Sequence, residues 1–64
     1  MFKKGDMIES NYRGSHNFRY KVLDTFKENN TEMYLLENVQ SGVQFRVSQN
    51  NADILCVKVS EYNG

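Results

Sequence analysis

The sequence contains no proline and no tryptophan, and it has one cysteine and one histidine among 64 residues. A single cysteine forms no intramolecular disulfide and is too few for a structural zinc site, so the staples typical of very small secreted domains are excluded. There is no apolar leader and no run of about 18 apolar residues. We therefore expect a cytoplasmic chain that does not span a membrane and needs no metal or cofactor.

The charges balance, with eight Lys and Arg residues against eight Asp and Glu residues. A net charge of zero gives no overall field that would draw the chain onto nucleic acid or anionic lipid. The balance is uneven along the chain, because residues 1–21 carry five basic and two acidic side chains, and residues 22–64 carry three and six. This division is compatible with one basic face, but solvated charges spread around a small domain are the favoured interpretation.

The length limits the chain to one domain, residues 1–64, with a small core. Apolar and polar residues alternate along three segments, which predicts strands with one face in the core. The alternating apolar sets are Phe18-Tyr20-Val22, Val43-Phe45-Val47 and Leu55-Val57-Val59. We expect Phe26 to share the face of Val22, and both Phe26 and Phe45 to lie in the core. Residues 32–39 break the alternation, so that strand is either covered on both faces or shifted by a bulge.

Turn residues divide the chain into five strands. Asn29-Asn30 suits a two-residue hairpin, and Ser41-Gly42 suits a second turn. Residues 49–53 are too polar for a strand, which predicts a single 3₁₀ turn capped by Asn50. The predicted strands are 6–11, 18–28, 31–39, 43–48 and 54–60, with an open loop at 11–17. An antiparallel sheet of this size avoids exposed edges by curling into a small, partly open barrel.

The segments Lys4-Gly5-Asp6-Met7-Ile8 and Tyr20-Lys21-Val22-Leu23, with Gly14 between them, resemble the opening of SH3-like small barrels. This group includes KOW-type and Tudor-type modules and small uncharacterised bacterial and phage proteins. The resemblance implies an all-β, five-stranded antiparallel SH3-like small barrel with one 3₁₀ turn before the last strand. The tryptophan of peptide-binding SH3 domains is absent, and Tyr20 stands where a KOW motif has glycine. The resemblance therefore implies a fold and no particular ligand.

Nothing in the sequence predicts catalysis. His16 lies beside Ser15 in the predicted loop, where the rigid geometry of a catalytic triad is not expected. Cys56 is expected to be a small buried apolar residue, as free cysteines most often are. No phosphate-binding glycine loop or metal motif occurs. A domain this small has little interior for a pocket of about 300 Å³, so we expect a protein that is not an enzyme.

The sequence leaves two binding functions open. Our first expectation is a small protein-interaction or inhibitor module, of the size of phage or mobile-element accessory proteins, because Tyr and Arg are frequent at interface hot spots. The expected contact residues are Tyr12, Arg13, His16, Arg19 and Tyr34. In this expectation Tyr12 is the anchor, Arg13 and Arg19 pair with acidic groups, and His16 lies at the rim. Tyr34 is the favoured exposed aromatic, although a buried position on a doubly covered strand is equally compatible.

The alternative is a nucleic-acid-binding or ribosome-associated barrel. The second predicted strand interleaves Phe18 and Tyr20 with Arg19 and Lys21, and small barrels bind bases with such residues. Alternation places the rings and the cations on opposite faces, however, and eight acidic side chains weaken the electrostatic attraction. A protein partner is therefore preferred.

Overall fold

The computed structural model describes residues 1–10 and 18–59. Within these ranges the chain forms five strands and one helix. They are β1 (Met7–Ser10), β2 (Arg19–Glu28), β3 (Thr31–Asn38), β4 (Gln44–Ser48), α1 (Gln49–Leu55) and β5 (Cys56–Lys58). All five strands belong to one antiparallel sheet in the order β4-β3-β2-β1-β5. The prediction of a mostly β protein with five antiparallel strands is confirmed, while the predicted loop at 11–17 lies outside the described residues.

The predicted β2–β3 hairpin forms at Asn29 and Asn30. Their φ angles are 50° and 67°, and a two-residue type I′ turn requires positive φ at both positions. Asparagine tolerates this region better than other residues with a Cβ. The turn before β4 uses Gly42 at φ 76°, and the Gly42 N–H donates to the carbonyl oxygen of Asn38 at 2.8 Å.

A bulge in β2 changes which side chains reach the core. Val22 pairs with Leu36, but the next pair joins Asp24 to Leu35, so Leu23 is an extra residue on β2. The extra residue reverses the alternation and places Phe26 beside half-buried Met33, on the face opposite Val22. The expectation that Phe26 shares the face of Val22 is therefore wrong.

The core lies on one face of the sheet, beneath α1 and the N-terminal segment. Its buried apolar residues are Phe2, Ile8, Val22, Tyr34, Leu36 and Ala52. Tyr34 has no exposed surface, which corrects the prediction that it is an exposed contact residue. Its hydroxyl accepts a hydrogen bond from the Phe2 N–H at 2.8 Å and donates one to Asp53 Oδ1 at 2.9 Å. Phe45, for which the alternation predicts a core position, is 38% exposed.

Residues 49–55 form a helix in place of the predicted 3₁₀ turn. Ser48 is its N-cap, since the Ser48 hydroxyl oxygen accepts from the Asn51 N–H at 3.2 Å. Asn50, the predicted cap, lies within the helix and is exposed. The Gln49 side chain is buried and donates to the Met33 carbonyl oxygen at 3.1 Å, which holds the helix against β3. Leu55 therefore belongs to α1, and the last strand begins at Cys56.

The predicted closure into a barrel is not formed. β4 and β5 are the two ends of the sheet and do not pair with each other. The helix α1 connects them and contacts β3, β4 and β5. The candidate site lies on the side of the sheet where β4 and β5 do not meet.

Candidate functional site

An apolar groove of about 250 Å³ lies between β4 and the α1–β5 segment. We call it the β4–α1 groove. Its lining residues are Ser10, Tyr20, Leu36, Phe45, Val47, Ala52, Leu55 and Cys56. Most of these side chains are apolar, so the groove suits the burial of a hydrophobic group from water.

Cross-strand register positions the β4 wall of the groove. Phe45 pairs with the core residue Leu36, and Val47 pairs with Tyr34. Directly opposed residues in an antiparallel pair point to the same face, so Phe45 and Val47 continue the core face of β3 toward solvent. Leu55 forms part of the opposite wall and is 53% exposed.

Tyr20 and Phe45 form an aromatic pair in the groove. Their ring centroids are 5.5 Å apart and the rings are inclined at 82°, an edge-to-face arrangement that stabilises by about 0.5–1.5 kcal/mol beyond area burial. Burial raises the pKa of the Tyr20 hydroxyl, and the charge of the Cys56 thiolate form raises it further. The Tyr20 hydroxyl therefore remains protonated at neutral pH.

Cys56 supplies the thiol of the groove. It is half-buried, and burial raises the pKa of this thiol above 9.0, with a smaller contribution from the Asp53 carboxylate. A thiolate is the reactive form of cysteine, so this environment disfavours nucleophilic chemistry. The groove is chemically suited to non-covalent binding.

A second hollow, of about 370 Å³, lies at β1, β5 and the start of β2, and its lining combines the charged residues Glu9, Arg19 and Lys58 with two valines. Arg19 and Glu9 border it and form an ion pair at 3.4 Å between Nε and Oε1. Lys58 also borders it and pairs with Asp6 at 3.7 Å. The charged side chains of this hollow are therefore already paired within the chain.

The sequence-predicted contact residues do not come together in the described structure. Tyr12, Arg13 and His16 lie outside the described residues. Arg19 lies at the second hollow with 55% of its side chain exposed, and it pairs with Glu9 of its own chain. Tyr34 is in the core. The sequence pattern did not reveal the groove, because it assigns Phe45 to the core and Leu55 to a strand. The predicted order of the elements is nevertheless compatible with an exposed edge position for β4.

The surface charges are largely paired within the chain. Four of the seven basic side chains in the described ranges take part in ion pairs. The pairs are Arg19–Glu9, Lys27–Glu32, Arg46–Glu28 and Lys58–Asp6. Each of these four cations therefore has an acidic neighbour within its own chain. Nucleic-acid binding remains an alternative prediction.

Within residues 1–10 and 18–59, no three His, Cys, Asp or Glu side chains are grouped so as to hold a metal ion. The helix in this part of the chain is too short to cross a membrane. Comparisons of the chain with protein-family models, with curated proteins and with solved structures found no match.

Proposed function

We propose that the protein is a non-catalytic protein-binding module that docks an apolar side chain of its partner in the β4–α1 groove. The observation that carries this proposal is the groove itself, which has a volume of about 250 Å³, a mostly apolar lining and an aromatic pair among its lining residues. Apolar pockets with aromatic walls are the usual anchors of protein interfaces.

The size of the groove favours a side chain over a cofactor. Small-molecule sites usually occupy about 300–1,000 Å³, and the β4–α1 groove is below that range. Phe45 and Leu55 are 38% and 53% exposed, so a partner that covers them removes apolar surface from water at about 25 cal/mol per Å². The raised pKa of the Cys56 thiol supports a binding role over a nucleophilic one.

The proposal includes an SH3-like architecture for this module. Five antiparallel strands in one sheet and a short helix before the last strand support it. The segment 11–17 joins Ser10, which lines the groove, to Phe18. We propose that Tyr12, Arg13 and His16 of this segment contact the same partner, and that Arg19, which follows the segment in the sequence, contributes to the contact. A cytoplasmic phage or mobile-element accessory protein remains our proposal for its origin.

A display library of random peptides tests the proposal with the protein alone as bait. Peptides selected on the unmodified protein are measured against two variants of neighbouring helix residues, Leu55→Glu and Ile54→Glu. Leu55 lines the groove, whereas Ile54 is 71% exposed and does not line it. We expect Leu55→Glu to weaken binding at least about tenfold, because it places a charge against the apolar partner. Ile54→Glu should change affinity less than about twofold.

Two results would overturn the proposal. Selected peptides without an apolar residue in common would argue against a hydrophobic anchor, and equal affinities for both variants would place the contact elsewhere. The double variant Tyr12→Ala and Arg13→Ala separately tests the contribution of the 11–17 segment. We expect these two substitutions to reduce the affinity for the partner while the melting temperature stays unchanged.

A further inference from the structure

The free edge of β4 exposes the backbone groups of two residues. The Asn38 N–H donates to the Val43 carbonyl oxygen at 2.9 Å, and hydrogen-bonded pairs alternate along an antiparallel ladder. Phe45 and Val47 therefore also direct their backbone groups toward β3. The N–H and C=O groups of Gln44 and Arg46 point the other way, and no described residue of the chain bonds to them.

The other edge of the sheet is protected by comparison. β5 has three residues, and the N–H of Cys56 donates to the Ala52 carbonyl oxygen of α1. The remaining residue of β5 whose backbone groups point outward is Lys58, so this edge offers one residue for pairing whereas β4 offers both Gln44 and Arg46. β4 is longer, and its face toward the groove includes Phe45 at 38% exposure, with Val43 just before the strand at 60%. β4 is therefore the edge available for pairing.

The sequence around this edge is symmetric in its apolar positions. It reads Val43-Gln44-Phe45-Arg46-Val47. If a second copy lies antiparallel with Phe45 opposite Phe45, each Gln44 faces Arg46 of the second copy. The outward backbone groups of Gln44 and Arg46 then form four inter-chain hydrogen bonds, two from each symmetric pair. On the face toward the groove, Phe45 meets Phe45 and each Val43 meets Val47 of the second copy.

The two neighbouring registers of this strand pairing are less favourable because of side-chain charge and ladder length. A shift of one residue in each copy in one direction places Arg46 opposite Arg46, and like charges directly opposed are destabilising. The shift in the other direction places Gln44 opposite Gln44 and brings Gly42 of the preceding turn opposite Arg46, which shortens the ladder. The register centred on Phe45 avoids both costs.

We infer that two copies of this chain form a symmetric dimer by antiparallel pairing of their β4 strands in the register centred on Phe45. This inference goes beyond the proposed groove function and does not depend on it. A net charge of zero provides no overall repulsion between copies. The contact uses the same strand of both copies, so it closes at two and leaves only the protected β5 edges outside. Two five-residue strands form an interface below about 1,200 Å², typical of weak, concentration-dependent association.

Sedimentation equilibrium and amide hydrogen exchange of the unmodified protein test the dimer together. Over a concentration series we expect the average mass to rise from that of the monomer toward twice that value. Exchange at the Gln44 and Arg46 amides should slow as concentration rises. The Phe45 and Val47 amides, which already bond to β3, provide the internal control and should be protected at every concentration.

A proline variant removes the inter-chain donor without disturbing the fold. Gln44→Pro deletes an N–H that faces solvent in the monomer, a position where an edge strand tolerates proline. We expect it to weaken dimerisation at least about tenfold, because two of the four bonds are lost and the ring obstructs the second strand. Gln44→Ala keeps the N–H, so it is the matched control and should dimerise within about twofold of the unmodified protein.

Charge variants separate dimerisation from monomer stability. Gln44 pairs with Glu37 in its own chain, so Gln44→Lys should raise the monomer's resistance to urea. In the dimer the same lysine opposes Arg46 of the second copy, so association should weaken. Gln44→Glu should have the reverse effects. If position 44 affected only the stability of the fold, each variant would change the resistance to urea and the strength of dimerisation in the same direction.

Any of three results would overturn the dimer. They are a monomer mass at the highest concentration, undiminished dimerisation of folded Gln44→Pro and Gln44→Lys variants, or assemblies larger than two. Leu55→Glu should leave dimerisation unchanged, since Leu55 is on the opposite wall of the groove. The failure of the groove proposal and the failure of the dimer are therefore distinguishable.

Discussion

Tyr34 joins three parts of the chain through one hydroxyl group. It lies on β3, accepts from the Phe2 N–H of the N-terminal segment, and donates to Asp53 of α1. The rings of Phe2 and Tyr34 also contact each other, with centroids 5.7 Å apart. This fully buried phenol thus provides the acceptor for the buried Phe2 N–H, and its hydrogen bond to Asp53 stabilises the position of the helix over the sheet.

The pH dependence of stability tests the environment of this residue. Burial raises the pKa of Tyr34 above its ordinary value of 10.0, as it also raises the pKa values of Tyr20 and Cys56. The folded state then holds these protons more tightly than the unfolded state. The stabilisation is complete below the unfolded pKa values and is lost as pH rises through the folded ones. Urea unfolding should therefore show a free energy of unfolding that declines as pH increases above about 9.

Tyr34→Phe separates the contribution of Tyr34 from the other two groups. At neutral pH it should lower the free energy of unfolding by about 1–3 kcal/mol, because the buried Phe2 N–H loses its acceptor. Above pH 10 the variant should lose less stability per pH unit than the unmodified protein. A free energy of unfolding that rose between pH 9 and pH 11 would contradict the assigned direction of these shifts.

The strands were predictable because their signals are local. Alternation identifies β2 and β4, and the Asn29-Asn30 pair identifies the turn that joins β2 to β3. The helix α1 was not predictable from the sequence, since only Gln49 and Ala52 of its seven residues are buried. Two buried positions give no helical periodicity. The face of Phe26 depends on the bulge at Leu23, which is a property of cross-strand register.

The cap of α1 provides a test at the level of this element. Ser48→Ala removes the hydroxyl that accepts from the Asn51 N–H, and it should lower the free energy of unfolding by about 0.5–2 kcal/mol. Asn50→Ala is the matched control, because Asn50 is exposed within the helix and alanine favours helix formation. It should leave stability unchanged or slightly raise it, as measured by thermal unfolding. Equal losses in the two variants would show that the cap does not stabilise the helix.

The sheet as a whole remains open because β4 and β5 do not meet. Closure depends on contacts between strands that are distant in the sheet, and no local pattern reports them. The candidate site was not predicted for the same reason, because its lining combines residues of several elements, including Phe45 of β4 and Leu55 of α1. Predicting a core from alternation assigned Phe45 correctly to the inward face, but it did not reveal that this end of the face reaches solvent.

The distribution of charge over the molecule gives the last prediction. The sequence separates a basic segment from an acidic one, yet the fold places Lys58 of β5 beside Asp6 and Arg46 of β4 beside Glu28. Each phosphate contact needs a cation that releases counterions, and these cations already have acidic neighbours. We expect fluorescence anisotropy to detect no binding of a mixed-sequence single-stranded oligonucleotide at about 50 mM salt. As a control, Glu28→Gln leaves Arg46 without its acid, and any weak binding should increase in that variant. Tight oligonucleotide binding by the unmodified protein, with an affinity that falls steeply as salt increases, would instead favour the nucleic-acid alternative. Binding to an apolar groove does not release counterions, so its affinity should not depend on salt in this way.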